Sequence, residues 1–254
     1  MERKDDETEF LNRAATTYVT SESHQERTIK QLAVRAFAPH LRGMRDGLEL
    51  GCSDGYMTSL ISKELEHLTV VDGSNYFLER ARGRNLKNVT FIHSLFEEYI
   101  PKRQFDCIFI SYVLEHMRDP VLLLERAAKF LTERGLIFLV VPNARALSRQ
   151  LARHMGILDD LYALTPNDLA HGHRRVYDRI LLDKDISSAG LIQVSRGGLM
   201  LKPFADFQMD TMFEQGILGP QQIEGLYTLG LEYPDISASL FSVCSTRPSN
   251  QLSQ

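Results

Sequence analysis

The chain has 254 residues, of which 43% are hydrophobic and 24% charged, and its formal net charge is −4 at pH 7. These values are those of an ordinary soluble protein with room for a substantial core, and one α/β domain with additions, spanning 1–254, fits the length. They exclude an overall electrostatic attraction for nucleic acid, and no apolar run approaches the length of a membrane span. Met1 to Glu7 is not followed by the apolar core of a signal peptide, so a cytoplasmic location is expected. Cys52, Cys107 and Cys244 are far apart and lack paired metal-ligand spacing; they read as reduced, largely buried residues.

Between Glu7 and about Arg42, the apolar residues Ile29, Leu32, Ala33, Ala36 and Phe37 recur at helical spacing, with Pro39 near the end. They predict one or two helices before the core, a helical cap over 1–45. The polar stretch from Thr16 to His24 separates these helices, and Tyr18 and His24 are candidates for a ligand pocket, with an exposed loop as the alternative. Asp46 to Leu50 is a short apolar strand running into a Gly-rich turn, and Met57 to Leu65 reads as the first core helix. A second strand, Leu68 to Val71, ends in Asp72; Ser74 is a good N-cap for a helix carrying Phe77, Leu78 and Ala81 on one face. Val89 to Ile92 is a third strand, and Phe105 to Ser111 is a continuous apolar run of the kind found in a sheet covered on both faces. Asp119-Pro120 opens a helix that reaches Leu131, and Gly135 marks the turn into a fifth strand that stops at Pro142.

Beyond Ala144 the alternation breaks. Ala146 to Met155 is basic and helix-compatible, with Gly156 as its stop, and the segment 164–178 leads into a helix closed by Ala189-Gly190. Leu191 to Leu201 is a sixth strand with a bulge or bend at Gly197-Gly198, and Ser239 to Cys244 is a seventh. The intervening 202–235 is longer than a hairpin needs and holds two helix-like pieces, Met209 to Phe213 and Gln221 to Leu229. Its apolar residues, Phe204, Phe207 and Met212 among them, form either a lid over an organic substrate or a packed extra layer.

The stretch from Asp46 to Gly55 defines a cofactor cradle, because a strand, Gly-rich turn and helix start leave backbone N–H groups open to a ligand. Counted from Gly51, a dinucleotide fingerprint needs glycines where Ser53 and Tyr56 stand. Glu49 has the wrong sign to welcome a diphosphate but suits a cation or ammonium group, and Asp72 ends a strand where an acid can accept both hydroxyls of a ribose. Adenosine joined to a cationic, amino-acid-like tail fits that pair.

The blocks Leu48-Glu49-Leu50-Gly51-Cys52-Ser53-Asp54-Gly55, Val70-Val71-Asp72-Gly73-Ser74, Phe105 to His116, and Leu136 to Asn143 resemble, in order and spacing, the class I S-adenosylmethionine-dependent methyltransferases. The resemblance covers roughly residues 46 to 145. It implies a Rossmann-like, doubly wound seven-stranded sheet, mostly parallel with an antiparallel seventh strand, with S-adenosylmethionine as methyl donor and S-adenosylhomocysteine as product. Within it, 46–145 is the cofactor-binding core, 146–178 a substrate-side insertion, and 179–254 the rest of the sheet with a lid at 202–235. The implied cofactor-binding residues are Glu49, Gly51, Cys52, Ser53, Gly55, Asp72, Gly73, Ser74, Ser111 and Tyr112, with Tyr18 from the N-terminal segment. In the family an acid followed by a small residue often holds the adenine after the third strand. Here Leu95 and Phe96 stand at that place, so apolar contact and backbone hydrogen bonds are expected to hold it.

Methyl transfer needs a base only if the nucleophile arrives protonated. Candidates are His116, at the end of the fourth strand, and His171 and His173, which share a face if their segment is extended; Glu115 stands second to them. The alternatives are a structural role at a helix start for His116 and loop hydrogen bonds for the pair. The segment 164–178 resembles, more loosely, one that lies beside the active site in many small-molecule methyltransferases. Arg149, Arg153, Arg174, Arg175 and Lys202 form a basic set that either clamps an acceptor carboxylate or phosphate or is a solvated face. Tyr18, Tyr56 and Tyr112 are candidates for cation–π contact with the sulfonium, ordinary packing being the rival for Tyr56. No metal is expected, because metal-dependent relatives use clustered carboxylates and an amide at set positions, and these do not assemble here. The leading expectation is methylation of an oxygen or nitrogen of a small molecule, with no nucleic acid or membrane partner. The alternatives are a protein or RNA methyltransferase and a non-catalytic S-adenosylmethionine-binding regulator.

Overall fold

The structure, a computed structural model, describes residues 23–246; Tyr18 and the first of the predicted N-terminal helices lie outside them. Seven strands form one sheet: β1 (Asp46–Leu50), β2 (His67–Asp72), β3 (Val89–His93), β4 (Phe105–Ser111), β5 (Leu131–Pro142), β6 (Ile192–Leu199) and β7 (Ser239–Ser245). Their spatial order is β3-β2-β1-β4-β5-β7-β6, with β7 antiparallel to both of its neighbours and all the other pairings parallel. The order reverses between β1 and β4, so the C-terminal ends of those strands open the crevice in which ligands of such sheets bind. The seven-stranded, mostly parallel fold expected from the sequence is the one found. Among the described residues no helix is long and apolar enough to cross a membrane.

Alternation along the strands sorts the core into two layers. Cys107 and Phe109 of β4 face one way, with Phe138 and Val140 of β5; Ile108 and Ile110 face the other, with Ile137 and Leu139. The second face is covered by α4 (Pro120–Lys129) and α7 (Arg179–Ser188), whose Leu123, Leu124, Leu182 and Ile186 are buried there. The first face is covered by α1 (His24–Phe37), α2 (Tyr56–Ile61) and α3 (Asn75–Arg82). α1 belongs to the core: its Phe37 is fully buried, with ring centroids 5.0 Å from Phe138 and 6.2 Å from both Phe109 and Phe241.

Between β6 and β7 lie α8 (Asp206–Glu214) and α9 (Pro220–Glu232). Met209 and Tyr227 bury into the layer formed by α1, and Gln25 N donates to Asp210 Oδ1 at 2.9 Å, so these helices are packed against the first face. The glycines of β6 do not mark the bulge: the register shifts between Gln193 and Ser195. Gly197 instead leaves room for Phe241, whose Cε1 would lie 2.5 Å from an added Cβ. Gly135 sits where β5 loops out against β4, since Phe105 faces Leu131 but Cys107 faces Leu136.

The insertion between β5 and α7 carries two short helices, α5 (Leu147–His154) and α6 (Pro166–Ala170), and is closed at its base. Asn143 bridges Tyr177, Ala144 N donates to Tyr177 O at 2.6 Å, and Asn143 Nδ2 donates to the carbonyls of Asp235 and Ser237. Truncating Phe37 leaves a cavity at the centre of the aromatic cluster, so Phe37→Ala is expected to destabilise the fold by about 3–5 kcal/mol. Urea unfolding checks this: the midpoint falls with an unchanged slope, and an unmoved midpoint would contradict a core role for α1.

Candidate active site

The turn after β1 is built on left-handed residues. Gly51 has φ 82° and Gly55 φ 78°; a Cβ on Gly51 would meet Val113 Cγ2 at 2.7 Å, and one on Gly55 would meet Ala81 at 2.7 Å. Both positions require glycine. Asp72, at the end of β2, ties this turn in place: its Oδ2 accepts from Cys52 N at 2.9 Å and its Oδ1 from Ser74 N at 2.8 Å. Burial raises the carboxyl of Asp72, and those two N–H donors oppose the rise. Each oxygen keeps acceptor capacity for a further donor.

One cavity of about 980 Å³ opens at the C-terminal ends of the strands. Its wall includes Gly51, Cys52, Ser53, Asp72 and Gly73 of the cradle, and Leu95 and Phe96 after β3. Ser111, Tyr112, His116, His171 and His173 line the same cavity. Ser111 Oγ is buried without a hydrogen-bond partner, and Tyr112 adopts φ 58°, strained for a tyrosine, with its hydroxyl 3.0 Å from Ser239 Oγ.

Glu49, Gly55 and Ser74 support this wall without forming part of it. Ser74 caps α3, and Gly55 precedes α2. Glu49 is 1% exposed, neither of its carboxylate oxygens has a hydrogen-bond partner, and burial pushes its carboxyl up to about 8. Tyr56 faces away: the guanidinium groups of Arg27 and Arg84 lie 5.6 and 5.4 Å from its ring centre. His24 stacks on Phe213 with centroids 6.1 Å apart and does not line the cavity. The three cysteines are free and buried, and burial pushes their thiols up.

A cluster of titratable groups lines the same cavity. The rings of His116 and His173 meet edge to face with centroids 4.8 Å apart, and His171 lies 6.4 Å from His173. Nδ1 of His116 is 3.2 Å from Gly172 O, and Nδ1 of His171 is 2.8 Å from Asn167 O. Burial first, then the neighbouring His173, pulls His116 down to about 3, so its ring stays neutral at physiological pH. Glu115 lines the cavity 1% exposed, both oxygens unpartnered, and burial pushes its carboxyl up to about 7.

Sequence reasoning passed over Asp168. Its Oδ1 lies 3.2 Å from His173 Nδ1, while Oδ2 accepts from Thr165 N at 2.8 Å and Thr165 Oγ1 at 2.7 Å and lies 3.2 Å from Arg149 Nη1. Against its burial, His173, Thr165 and Arg149 hold this carboxyl well below the usual range. The signal was present, since Thr165 to Asp168 is the capping-box pattern of a helix start. Lys30 of α1 was also missed; it lines the cavity and acts electrostatically on Glu49 and Asp54.

Most of the basic set serves the protein itself. Arg149 donates to Leu161 O and Ala163 O as well as to Asp168, Arg175 donates to Met117 O and Arg118 O, and Lys202 pairs with Asp206. Arg153 is exposed, and Arg174 donates its backbone N–H to Glu115 O at 2.8 Å.

This fold and cradle define a class I S-adenosylmethionine-dependent methyltransferase. The chain belongs to the family described as the methyltransferase domain, which it matches over residues 21–194. It is 34% identical over 84 residues to nodulation protein S of Bradyrhizobium diazoefficiens, a match covering 30% of this chain and 40% of that protein. It is 26% identical over 164 residues to the ubiquinone biosynthesis O-methyltransferase of Vibrio cholerae, covering 63% of this chain and 66% of the relative. In the first three relatives the chain spans 40%, 29% and 41% of their length. The crystal structure of N-methyltransferase NodS from Bradyrhizobium japonicum WM9, in complex with S-adenosyl-l-homocysteine, superposes with a TM-score of 0.58 at 14% identity. That likeness of fold covers 92% of this chain and 97% of the neighbour.

The site fits the cofactor on its own geometry: a glycine cradle too tight for a Cβ, an acid with free lone pairs at the end of β2, and apolar walls at Leu95 and Phe96. Asp72→Ala removes the tie between the turn and β2 together with the acid expected from the sequence to accept the ribose. Affinity for S-adenosylhomocysteine, read by calorimetry, is expected to fall by about 100-fold or more; wild-type affinity would contradict the assignment.

Proposed function

We propose that this chain transfers the methyl group of S-adenosylmethionine to an oxygen or nitrogen of a small organic acceptor, leaving S-adenosylhomocysteine. The observation that carries this reading is a single cavity whose wall includes both the cradle at Gly51 and Asp72 and the histidines His116, His171 and His173. A relative that methylates oxygen in ubiquinone biosynthesis supports a small-molecule acceptor. Three buried, unpaired cysteines accord with the reducing conditions of the cytosol.

S-adenosylmethionine supplies a methyl carbon already activated by its sulfonium. The protein's part is alignment and exclusion of water, an effect worth about 7 kcal/mol or more. Asp72 accepts the ribose hydroxyls with the lone pairs left by Cys52 and Ser74. Phe77, Leu95 and Phe96 hold the adenine by apolar contact, and Lys30 pairs with the carboxylate at the amino-acid end. Tyr112 presents its ring to the sulfonium. The acceptor enters on the histidine side, beneath α5, Ile157, Leu158 and the start of α8, which act as its lid. An alcohol or protonated amine must lose a proton there, and His171 and His173 stand where it leaves.

Incubating the protein with methyl-labelled S-adenosylmethionine and a metabolite extract, followed by mass analysis, tests the proposal. A labelled small molecule is expected; label found only on protein or RNA would replace the acceptor class. His171→Ala and His173→Ala are expected to lower the turnover rate by about tenfold to a hundredfold while leaving S-adenosylhomocysteine affinity within about twofold. Normal turnover in both would remove the pair from the reaction.

A further inference from the structure

Glu115 is the least explained buried group of the cavity. An ionised carboxylate removed from water costs several kcal/mol unless it is paired or hydrogen-bonded. Glu115 is 1% exposed, and neither oxygen has a hydrogen-bond partner. Asp72 and Asp168 are met by N–H or O–H donors, and Glu49, as deeply buried, lies behind the cradle and outside the cavity, whereas Glu115 lines it. What lies beside Glu115 is different: one ring nitrogen of His116 and one of His173, all three potential ligand atoms lying within 4.8 Å of one another. Imidazole and carboxylate together are metal ligands.

The outer contacts of the two rings point the same way. Nδ1 of His116 faces Gly172 O at 3.2 Å, and Nδ1 of His173 faces Asp168 Oδ1 at 3.2 Å. A proton on Nδ1 of His116, held toward Gly172 O, leaves its Nε2 lone pair free, and histidines that hold a metal commonly have their other nitrogen on a carbonyl in this way; Asp168 lies beside the ring of His173 without a hydrogen bond to its Nδ1. Asp168 is fixed by Thr165 and Arg149, and the loop carrying His173 is fixed by Arg174 N on Glu115 O and His173 N on Asp168 O. Two elements distant in sequence are thus held so that three ligand atoms converge on one end of the cavity.

We infer that Glu115, His116 and His173 bind one divalent transition-metal ion at the acceptor end of the cavity, and that its open positions take the hydroxyl of the acceptor. The second half rests on the methyl-transfer reading above; the first stands without it. Two imidazole nitrogens favour zinc, cobalt or iron over magnesium and calcium, which prefer oxygen ligands. Bonds of about 2.0–2.2 Å draw the three side chains closer than they stand here. The ion neutralises charge developing on the acceptor's oxygen as its proton leaves by way of His171 to water, so that of the two histidines named above His171 takes the proton and His173 serves as ligand. That oxygen uses a lone pair to bond the methyl carbon, the carbon–sulfur bond breaks with its pair returning to sulfur, and a methyl ether, S-adenosylhomocysteine and one proton result. A hydroxyl-bearing acceptor is therefore the substrate class.

Titrating the chelator-treated full chain with Co²⁺, without cofactor, tests the site through the visible absorption of bound cobalt. One Co²⁺ per chain, displaced by one equivalent of Zn²⁺, is expected. Glu115→Gln and His173→Ala should each weaken Co²⁺ binding by tenfold or more and Asp168→Asn by about tenfold, all with S-adenosylhomocysteine affinity within about twofold to certify the fold. A wild-type protein that binds S-adenosylhomocysteine but shows no cobalt absorption and no heat with Zn²⁺ would overturn the site. So would variants that keep wild-type Co²⁺ affinity. Stoichiometric Co²⁺ binding with no binding of S-adenosylhomocysteine would uphold the metal and overturn the methyl-transfer reading instead.

Discussion

Asp72 is the joint on which the cavity depends. Its two oxygens are taken, one each, by Cys52 N and Ser74 N, so a single side chain holds the turn after β1, the end of β2 and the start of α3 in one arrangement. Charge-assisted bonds of this kind are stronger than neutral ones, and in a buried place they offset much of the cost of the charge. The left-handed turn is also held by Gly51 N on Val71 O, Gly55 N on Cys52 O and Arg84 on Asp54, and Val113 leaves no room for a side chain at Gly51. A cradle fixed before the ligand arrives spares the ligand the entropy of ordering it.

Asp72, Glu49 and Glu115, three of the buried carboxylates, differ in what meets them. Asp72 is met by N–H donors and remains an acceptor. Glu49 lies behind the cradle, where burial pushes its carboxyl up to about 8 against the opposing effect of Thr58. Glu115 faces the cavity beside two imidazoles. Position along a strand decides the difference: Glu49 is inside β1, while Glu115 follows β4 in a short 3₁₀ turn whose side chains reach the rim.

Much of the fold was legible because it follows from periodicity and turn chemistry. The apolar runs of β4 and β5 could only be buried on both faces, and Ser74, Asp119 and Asp178 announce helix starts by accepting from the backbone three residues on. The cradle was legible for the same local reason. The sense of Gly197 and Gly198 was not, because the demand for a missing side chain comes from Phe241 and Ser237, residues about forty positions away. Likewise Arg149 looked like a helix surface residue, yet three acceptors in the segment 161–168 fold back over it. Spacing within a helix cannot reveal a partner supplied by the next loop.

That fold-back makes the insertion more than a cover. Arg149 on α5 reaches Asp168, Asp168 lies beside His173, and His173 packs on His116, so a chain of contacts links α5 to the rim of β4. The guanidinium holds one carboxylate oxygen of Asp168, and the other lies 3.2 Å from Nδ1 of His173. A displacement of α5 by an acceptor would therefore be felt at His173 without any contact between the two. The insertion and the rim of β4 are thereby tied together, and Asn143 and Tyr177 hold the insertion at its base to the end of β5.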